Sequence, residues 1–231
     1  GIYWGYQVIG QFQSEEEIRN YPVNLDGNNN RTLLPGDFIY KDVNGDGIIN
    51  GMDERPIGYP EGWAPIMSFG GNIGLAWKGI DLNIDLSGGA MQGWRQNYEL
   101  ANAYHGNGNS PVYLLEDRWH RADLYDPESE WIPGRYPAIR KGEFSYNNKN
   151  SDFWLHNVRY LRIKNLEVGY SLPAQLLRPI RAQKVRIYAN VSNLCSFDNV
   201  GKFGVDPEIT AAAAVVYPQQ RTFLLGFNIT Y

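Results

Sequence analysis

The feature that most constrains this chain is a period-two alternation of apolar and polar residues, repeated in segments of roughly ten residues, the length a tilted strand needs to cross a bilayer. It is cleanest where Ile80, Leu82, Ile84 and Leu86 interleave with Asp81, Asn83, Asp85 and Ser87. Successive side chains of a β-strand point to opposite faces, so this order gives one apolar and one polar face. Five more segments follow the rule. Ile2, Trp4, Tyr6, Val8 and Phe12 oppose Tyr3, Gly5, Gln7 and Gln11, and Met67, Phe69, Ile73, Leu75 and Trp77 oppose Ser68, Gly70, Asn72, Gly74 and Ala76. The stretch from Tyr160 to Leu172 slips phase between Ile163 and Leu166, which predicts a β-bulge at Lys164 or Asn165. Val185, Ile187, Ala189 and Val191 oppose Arg186, Tyr188, Asn190 and Ser192. The last segment sets Phe223, Leu225, Phe227, Ile229 and Tyr231 against Thr222, Gly226, Asn228 and Thr230.

A soluble sandwich also alternates, but its strands are usually about five or six residues long. Connection lengths separate the two folds further. Lys78-Gly79 reads as a tight turn and 173–183 as a short linker, whereas 13–65, 89–152 and 195–220 are long. Short turns at one end and long loops at the other describe an outer-membrane barrel, and structureless loops of such length are unusual in a compact soluble domain. The expected fold is therefore all-β: an antiparallel transmembrane β-barrel segment of about six strands with long extracellular loops. No run of eighteen or more apolar residues occurs, which excludes a membrane-spanning helix but not a barrel strand. Asp81, Asn83, Asp85 and Arg186 on the inward face imply a wet lumen. Six strands cannot enclose one, so further strands are expected before Gly1, where no signal peptide is found, and residues 1–231 read as the C-terminal barrel segment of a longer protein. The alternative is a secreted, calcium-stabilised, glycan-binding β-sandwich.

Two stretches carry candidate chemistry. Residues 42–53 match a twelve-residue calcium loop: Asp42, Asn44, Asp46, Asn50 and Asp53 supply oxygen side chains, and Ile48 supplies a carbonyl. Gly47 stands at the sharp turn, and Asp53 replaces the usual bidentate Glu. The spacing resembles a dockerin repeat, though no second copy follows; a metal-free Asp/Asn/Gly turn is the competing reading. Loop 89–152 is rich in aromatics mixed with arginine, and Trp94, Tyr98, Trp119, Arg121 and Trp131 are its candidate substrate contacts. Such rings stack on sugars and arginine binds hydroxyls or carboxylates; for any single residue the favoured reading is that it belongs to the loop's own core or packs against a partner subunit. The single cysteine, Cys195, permits no internal disulfide. The net charge of −4 without a basic tract argues against nucleic acid. His105, His120 and His156 lack metalloprotease spacing, and neither a nucleophile elbow nor a phosphate loop is found, so no enzyme is expected. Ser14-Glu15-Glu16-Glu17 spells a helix capping box.

Several stretches resemble SusC/RagA-type TonB-dependent outer-membrane transporters. They are Gly36-Asp37-Phe38-Ile39-Tyr40-Lys41 leading into the Asp42 loop, Asp53-Glu54-Arg55-Pro56-Ile57-Gly58, and the run from Tyr160 to Pro173. The terminal Tyr217-Pro218-Gln219-Gln220-Arg221-Thr222-Phe223 and Phe12-Gln13-Ser14-Glu15-Glu16-Glu17-Ile18 are also similar. The resemblance implies a 22-stranded barrel in the outer membrane of a Gram-negative cell, with a plug and TonB box before this segment. It further implies a SusD-like surface lipoprotein as partner, drive from TonB–ExbB–ExbD, and import of glycan or peptide. Tyr231 resembles the terminal aromatic of such barrels.

Overall fold

The computed structural model describes residues 1–62, 64–140, 144–208 and 219–231. Among them eleven strands are found: β1 (Tyr3–Gly5), β2 (Val8–Gln11), β3 (Phe38–Tyr40), β4 (Arg55–Gly58), β5 (Met67–Trp77), β6 (Ile80–Arg95), β7 (His120–Arg121), β8 (Trp131–Ile132), β9 (Leu155–Ser171), β10 (Lys184–Asp198) and β11 (Thr222–Thr230). Short helices α1 (Glu15–Asn20), α2 (Val112–Glu116) and α3 (Ala174–Leu177) punctuate them. No helix among the described residues is long and apolar enough to cross a membrane. The chain divides into two compact units, one built on Gly1–Gly62 and Gly93–Asn157, the other on most of the remainder.

The second unit is a five-stranded sheet in the order β11-β10-β9-β6-β5. Lys78 and Gly79 both take left-handed φ values, 48° and 85°, as a two-residue hairpin turn requires. That turn fixes the register: Trp77 faces Ile80, Leu75 faces Leu82, Ile73 faces Ile84 and Gly71 faces Leu86. The polar residues pair in turn, Ala76 with Asp81, Gly74 with Asn83 and Asn72 with Asp85. At the other edge Val185, Ile187, Ala189 and Val191 oppose Ile229, Phe227, Leu225 and Phe223. Apolar thus meets apolar across neighbouring strands, and the sheet has one apolar and one polar face. The apolar face is open: Phe69, Ile73, Trp77, Phe223, Leu225 and Phe227 are all exposed, Leu225 by 79%. The bulge expected at Lys164 or Asn165 is found on the partner strand instead: Asn165 is opposite Ser192 but Ile163 is opposite Cys195. Three steps on β10 therefore match two on β9, so the extra residue lies on β10, where Asn193 has φ 53°.

The first alternating segment departs from the expectation, leaving five long strands where about six were expected. It breaks at Tyr6-Gln7 into β1, paired with β4, and β2, paired with β3, in two small antiparallel sheets. Local donors and acceptors explain the break. Tyr6 N–H donates to the Asn150 carbonyl (2.7 Å), Tyr6 O accepts from Asp152 N (3.1 Å), and Val8 N donates to Asp152 Oδ1 (2.9 Å). The backbone at the middle of the segment is satisfied by the 150–152 turn, and β4 contains Pro56, which has no N–H to give.

The long connections are also not structureless. Residues 13–62 and 96–154 build the core of the first unit, where Phe12, Ile18, Leu25, Leu33, Phe38, Ile39, Tyr40, Leu114, Tyr136, Tyr146 and Trp154 cluster. Helix α1 starts as the capping box specifies: Ser14 Oγ accepts from Glu17 N (3.1 Å), and Glu17 Oε2 accepts from Gln13 N (2.6 Å). In the connection 195–220, residues 209–218 lie outside the described residues; β10 itself continues to Asp198.

Candidate functional site

The stretch 36–40 is the centre of the first unit. Gly36 has φ 91°, a conformation that favours glycine, and any Cβ there would collide with the Trp119 side chain. Asp37, 0% exposed, is ion-paired with Arg140, accepts from Asn147 Nδ2 (2.8 Å) and from Leu34 N (2.8 Å), and so ties three separate segments together. Burial pushes its carboxyl up, against the pull of the Arg140 guanidinium. Asn147 completes the node: its Oδ1 accepts from Phe38 N (3.2 Å) and its carbonyl accepts from Trp154 Nε1 (2.7 Å). Tyr40 donates to the Tyr146 carbonyl (2.9 Å). The Lys149 ammonium lies over three rings, 5.0 Å from Tyr6, 5.3 Å from Tyr40 and 5.1 Å from Tyr146, an internal aromatic cage. Burial lowers its pKa.

Loop 42–53 is pinned at its middle. Asn24 N donates to the Gly47 carbonyl (2.8 Å) and Ile49 N to the Asn24 carbonyl (3.3 Å), joining it to the Asx-rich turn 24–32. In that turn Asp26 accepts from the amides of Asn28, Asn30 and Thr32 and from Thr32 Oγ1. Gly45 and Gly47 take φ 77° and 80°, the sharp turns a cation-wrapping loop needs. The oxygens, however, face the loop's own amides. Asp42 accepts from Gly45 N (2.7 Å) and Gly47 N (2.9 Å), Asp46 from Ile48 N (2.9 Å) and Asn44 Nδ2 (2.8 Å). Asn50 accepts from Met52 N (2.8 Å) as the cap of a single 3-10 turn, Gly51–Asp53. Asp53, 0% exposed, accepts from Val43 N and Asn50 N, both 2.9 Å. Asp53 therefore closes the loop through backbone donors. Among the described residues no cluster of three His, Cys, Asp or Glu side chains is placed to hold a metal.

The aromatic candidates are not brought together as one surface. Trp94 (2% exposed) stacks on His156, and Trp119 (3% exposed) covers Gly36, so neither presents a free ring face. Arg121 is held by Glu15 (3.0 Å) and lies 4.4 Å over the half-buried Trp131. Tyr98 alone of the five is well exposed, tilted against His105. A cavity of about 500 Å3 opens nearby, lined by Asn102, Tyr104, His105, Asn107, Arg140, Phe144, Asn148 and Trp154 among others. Its mixture of rings, amides and a guanidinium suits a polar ligand with flat faces, and Tyr104 is the exposed ring at its rim. Sequence reasoning singled out none of these lining residues as a group, because they come from three stretches with no shared motif.

On the sheet's polar face, Arg186 Nε donates to Asp81 Oδ2 (3.0 Å) and Nη2 to Glu167 Oε1 (2.7 Å). Asn72 Nδ2 donates to Asn83 Oδ1 (2.8 Å) and Asp85 Oδ1 (2.7 Å). Arg186 thus bridges across β9 to Asp81 on β6 as well as to Glu167 on β9, and Asp85 is met from β5, so each of these charges has a partner on another strand of the sheet.

No family model matches the chain. TonB-dependent receptor P3 of Formosa agariphila is 26% identical over 247 residues, taking in 100% of this chain and 22% of that protein. TonB-dependent receptor P26 of the same organism is 24% identical, again over 100% of this chain and 22% of the relative. TonB-dependent receptor SusC of Bacteroides thetaiotaomicron is 33% identical over 99 residues, 41% of this chain and 9% of SusC. Among solved structures, the RagAB peptide importer in its open-open state superposes with a TM-score of 0.61 at 17% identity, covering 100% of this chain and 22% of that one. The RagAB peptide transporter gives 0.59 at 17% identity over 99% of this chain. The chain thus spans 22% of the length of its first relatives.

Proposed function

We propose that this chain, similar over its whole length to SusC/RagA-type TonB-dependent receptors, is the C-terminal barrel portion of an outer-membrane nutrient importer. The observation that carries the reading is the five-stranded sheet, apolar and open on one face and charged on the other. An apolar face left to water over five strands is unfavourable, whereas against lipid tails it is the required surface. The opposite face then lines the passage, and substrate moves along it without covalent chemistry from these residues. The cargo is glycan or peptide; the RagAB neighbour is a peptide importer. The reading includes a SusD-like lipoprotein over the external loops and TonB–ExbB–ExbD acting through the rest of the protein. Uptake of fluorescent oligosaccharide and oligopeptide mixtures by cells with and without the full-length gene tests it. Loss of one uptake on deletion, and on inactivating TonB, is expected; uptake independent of both would remove the importer assignment.

Calcium at 42–53 belongs to the same reading, as a structural ion. Asp42, Asn44, Asp46 and Asn50 would supply side-chain oxygens and Ile48 its carbonyl, while Asp53 stays with its backbone donors. Titration of the full-length protein with calcium alone, against Asp42→Ala and Asp46→Ala, decides it. Binding unchanged by both substitutions would eliminate the site.

A further inference from the structure

The segment after β10 returns over the polar face of the sheet. Asp198 Oδ1 accepts from Val200 N (3.0 Å) and Gly201 N (2.5 Å), which turns the chain at the strand's end. A single 3-10 turn, Gly201–Phe203, follows and is closed by Gly204 at φ 74°. Val200, Phe203 and Val205 are buried, so the turn has an apolar seat. Beyond it, two carboxylates reach polar-face side chains of β6 and β9. Asp206 Oδ2 accepts from Arg162 Nη2 (2.7 Å). Glu208 Oε2 accepts from Arg162 Nη1 (2.9 Å) and Lys164 Nζ (2.7 Å), and its Oε1 from Ser87 Oγ (3.1 Å). Asp206 Oδ1 also accepts from Glu208 N (2.8 Å), fixing the two carboxylates relative to each other.

Two cations meet two anions, so the cluster carries no net charge. Arg162 is 4% exposed, and a guanidinium so enclosed needs both partners. Lys164 is different: its side chain is 42% exposed, so water reaches the cluster from that side and can replace the protein partners. Glu208 is held below its usual range despite burial, by Lys164 and Arg162, and stays ionised at neutral pH.

We propose that residues 199–208 form a strap latched to the polar face through Arg162, Lys164 and Ser87, and that opening this latch widens the passage along that face. The proposal rests on reading the polar face as the lining of an import passage. The seat of Val200 and Phe203 acts as the fixed end, and the Asp206–Glu208 clasp as the releasable one.

The test uses the full-length protein with Cys195→Ser and one reporter cysteine. Ser196 is opposite Arg162 in the β9–β10 register and its Oγ is buried. Ser196→Cys should react slowly with a membrane-impermeant maleimide added to intact cells. Adding Asp206→Asn and Glu208→Gln should speed it by about tenfold or more, the change expected when charged hydrogen bonds are lost. Lys164→Gln, at a half-exposed side chain, should act in the same direction and more weakly. Asn190→Cys, on the polar face but opposite Glu167, should keep its rate. Equal Ser196→Cys rates with and without the carboxylates, or a parallel rise at Asn190→Cys, would overturn the strap. Absent uptake of the fluorescent mixtures alongside the expected labelling pattern would count against import and leave the strap standing.

Discussion

Single residues set the limits of the loop unit. Gly36 combines a left-handed φ with a ring directly over its Cα, so two independent penalties fall on any side chain there. Gly36→Ala should destabilise the first unit by about 1–3 kcal/mol, from backbone strain and overpacking against Trp119. Limited proteolysis within residues 13–62 and 96–154 measures this, and wild-type resistance would contradict it. Asp26 offers a pH-dependent counterpart. Burial alone would raise its pKa, but hydrogen bonds from Thr32, Asn28 and Asn30 outweigh that and lower it. Its contribution is complete above the ordinary Asp range of about 4 and is lost as pH falls through the lowered folded value. Hydrogen exchange should show the Asn28, Asn30 and Thr32 amides losing protection on that acidification. Protection independent of pH, after correction for intrinsic exchange, would refute the assignment.

The strand elements divide into those whose partners the sequence reveals and those whose partners it hides. At Ile84 or Leu225, on the apolar face, an arginine should cost about 2–4 kcal/mol near the bilayer midplane. At Asn83, on the polar face, it should be better tolerated. Folded yield after extraction measures the contrast, and equal losses at all three positions would remove the membrane assignment. These faces were legible because hairpin turn and alternation agree: Lys78-Gly79 sets the register that the apolar residues need. The segment from Ile2 to Phe12 alternates as well, yet its partners are short pieces at 38–40 and 55–58 and the turn at 150–152. Alternation states that a strand has two faces, not which chain stretch will pair with it. The aromatic loop failed for a related reason. Trp94 and Trp119 differ from Tyr98 only in burial, which is decided by packing among stretches far apart in sequence. Asp206 and Glu208 carried no signal because their partners, Arg162 and Lys164, lie more than forty residues earlier.

At the scale of the molecule, the sheet's edges decide what the chain can be alone. Among the described residues β5 pairs only with β6, and β11 only with β10. Each therefore has one side whose backbone N–H and C=O groups lack a strand partner. In water such edges template aggregation. In lipid each unsatisfied group costs several kcal/mol, so the sheet is stable in a membrane only when closed by further strands. The relatives are between four and five times longer than this chain, which leaves ample length for them. A barrel so closed resists SDS at room temperature and shifts its gel mobility on boiling, because unfolding requires every strand pair to open together. The full-length protein should show this shift, and residues 1–231 expressed alone should run at one position, heated or unheated, and need detergent to stay dispersed. A soluble, monodisperse 231-residue protein would favour a β-sandwich instead. Among the described residues the strands of the first unit are two to four residues each, and they form only two-stranded sheets, not the second large sheet that a β-sandwich requires.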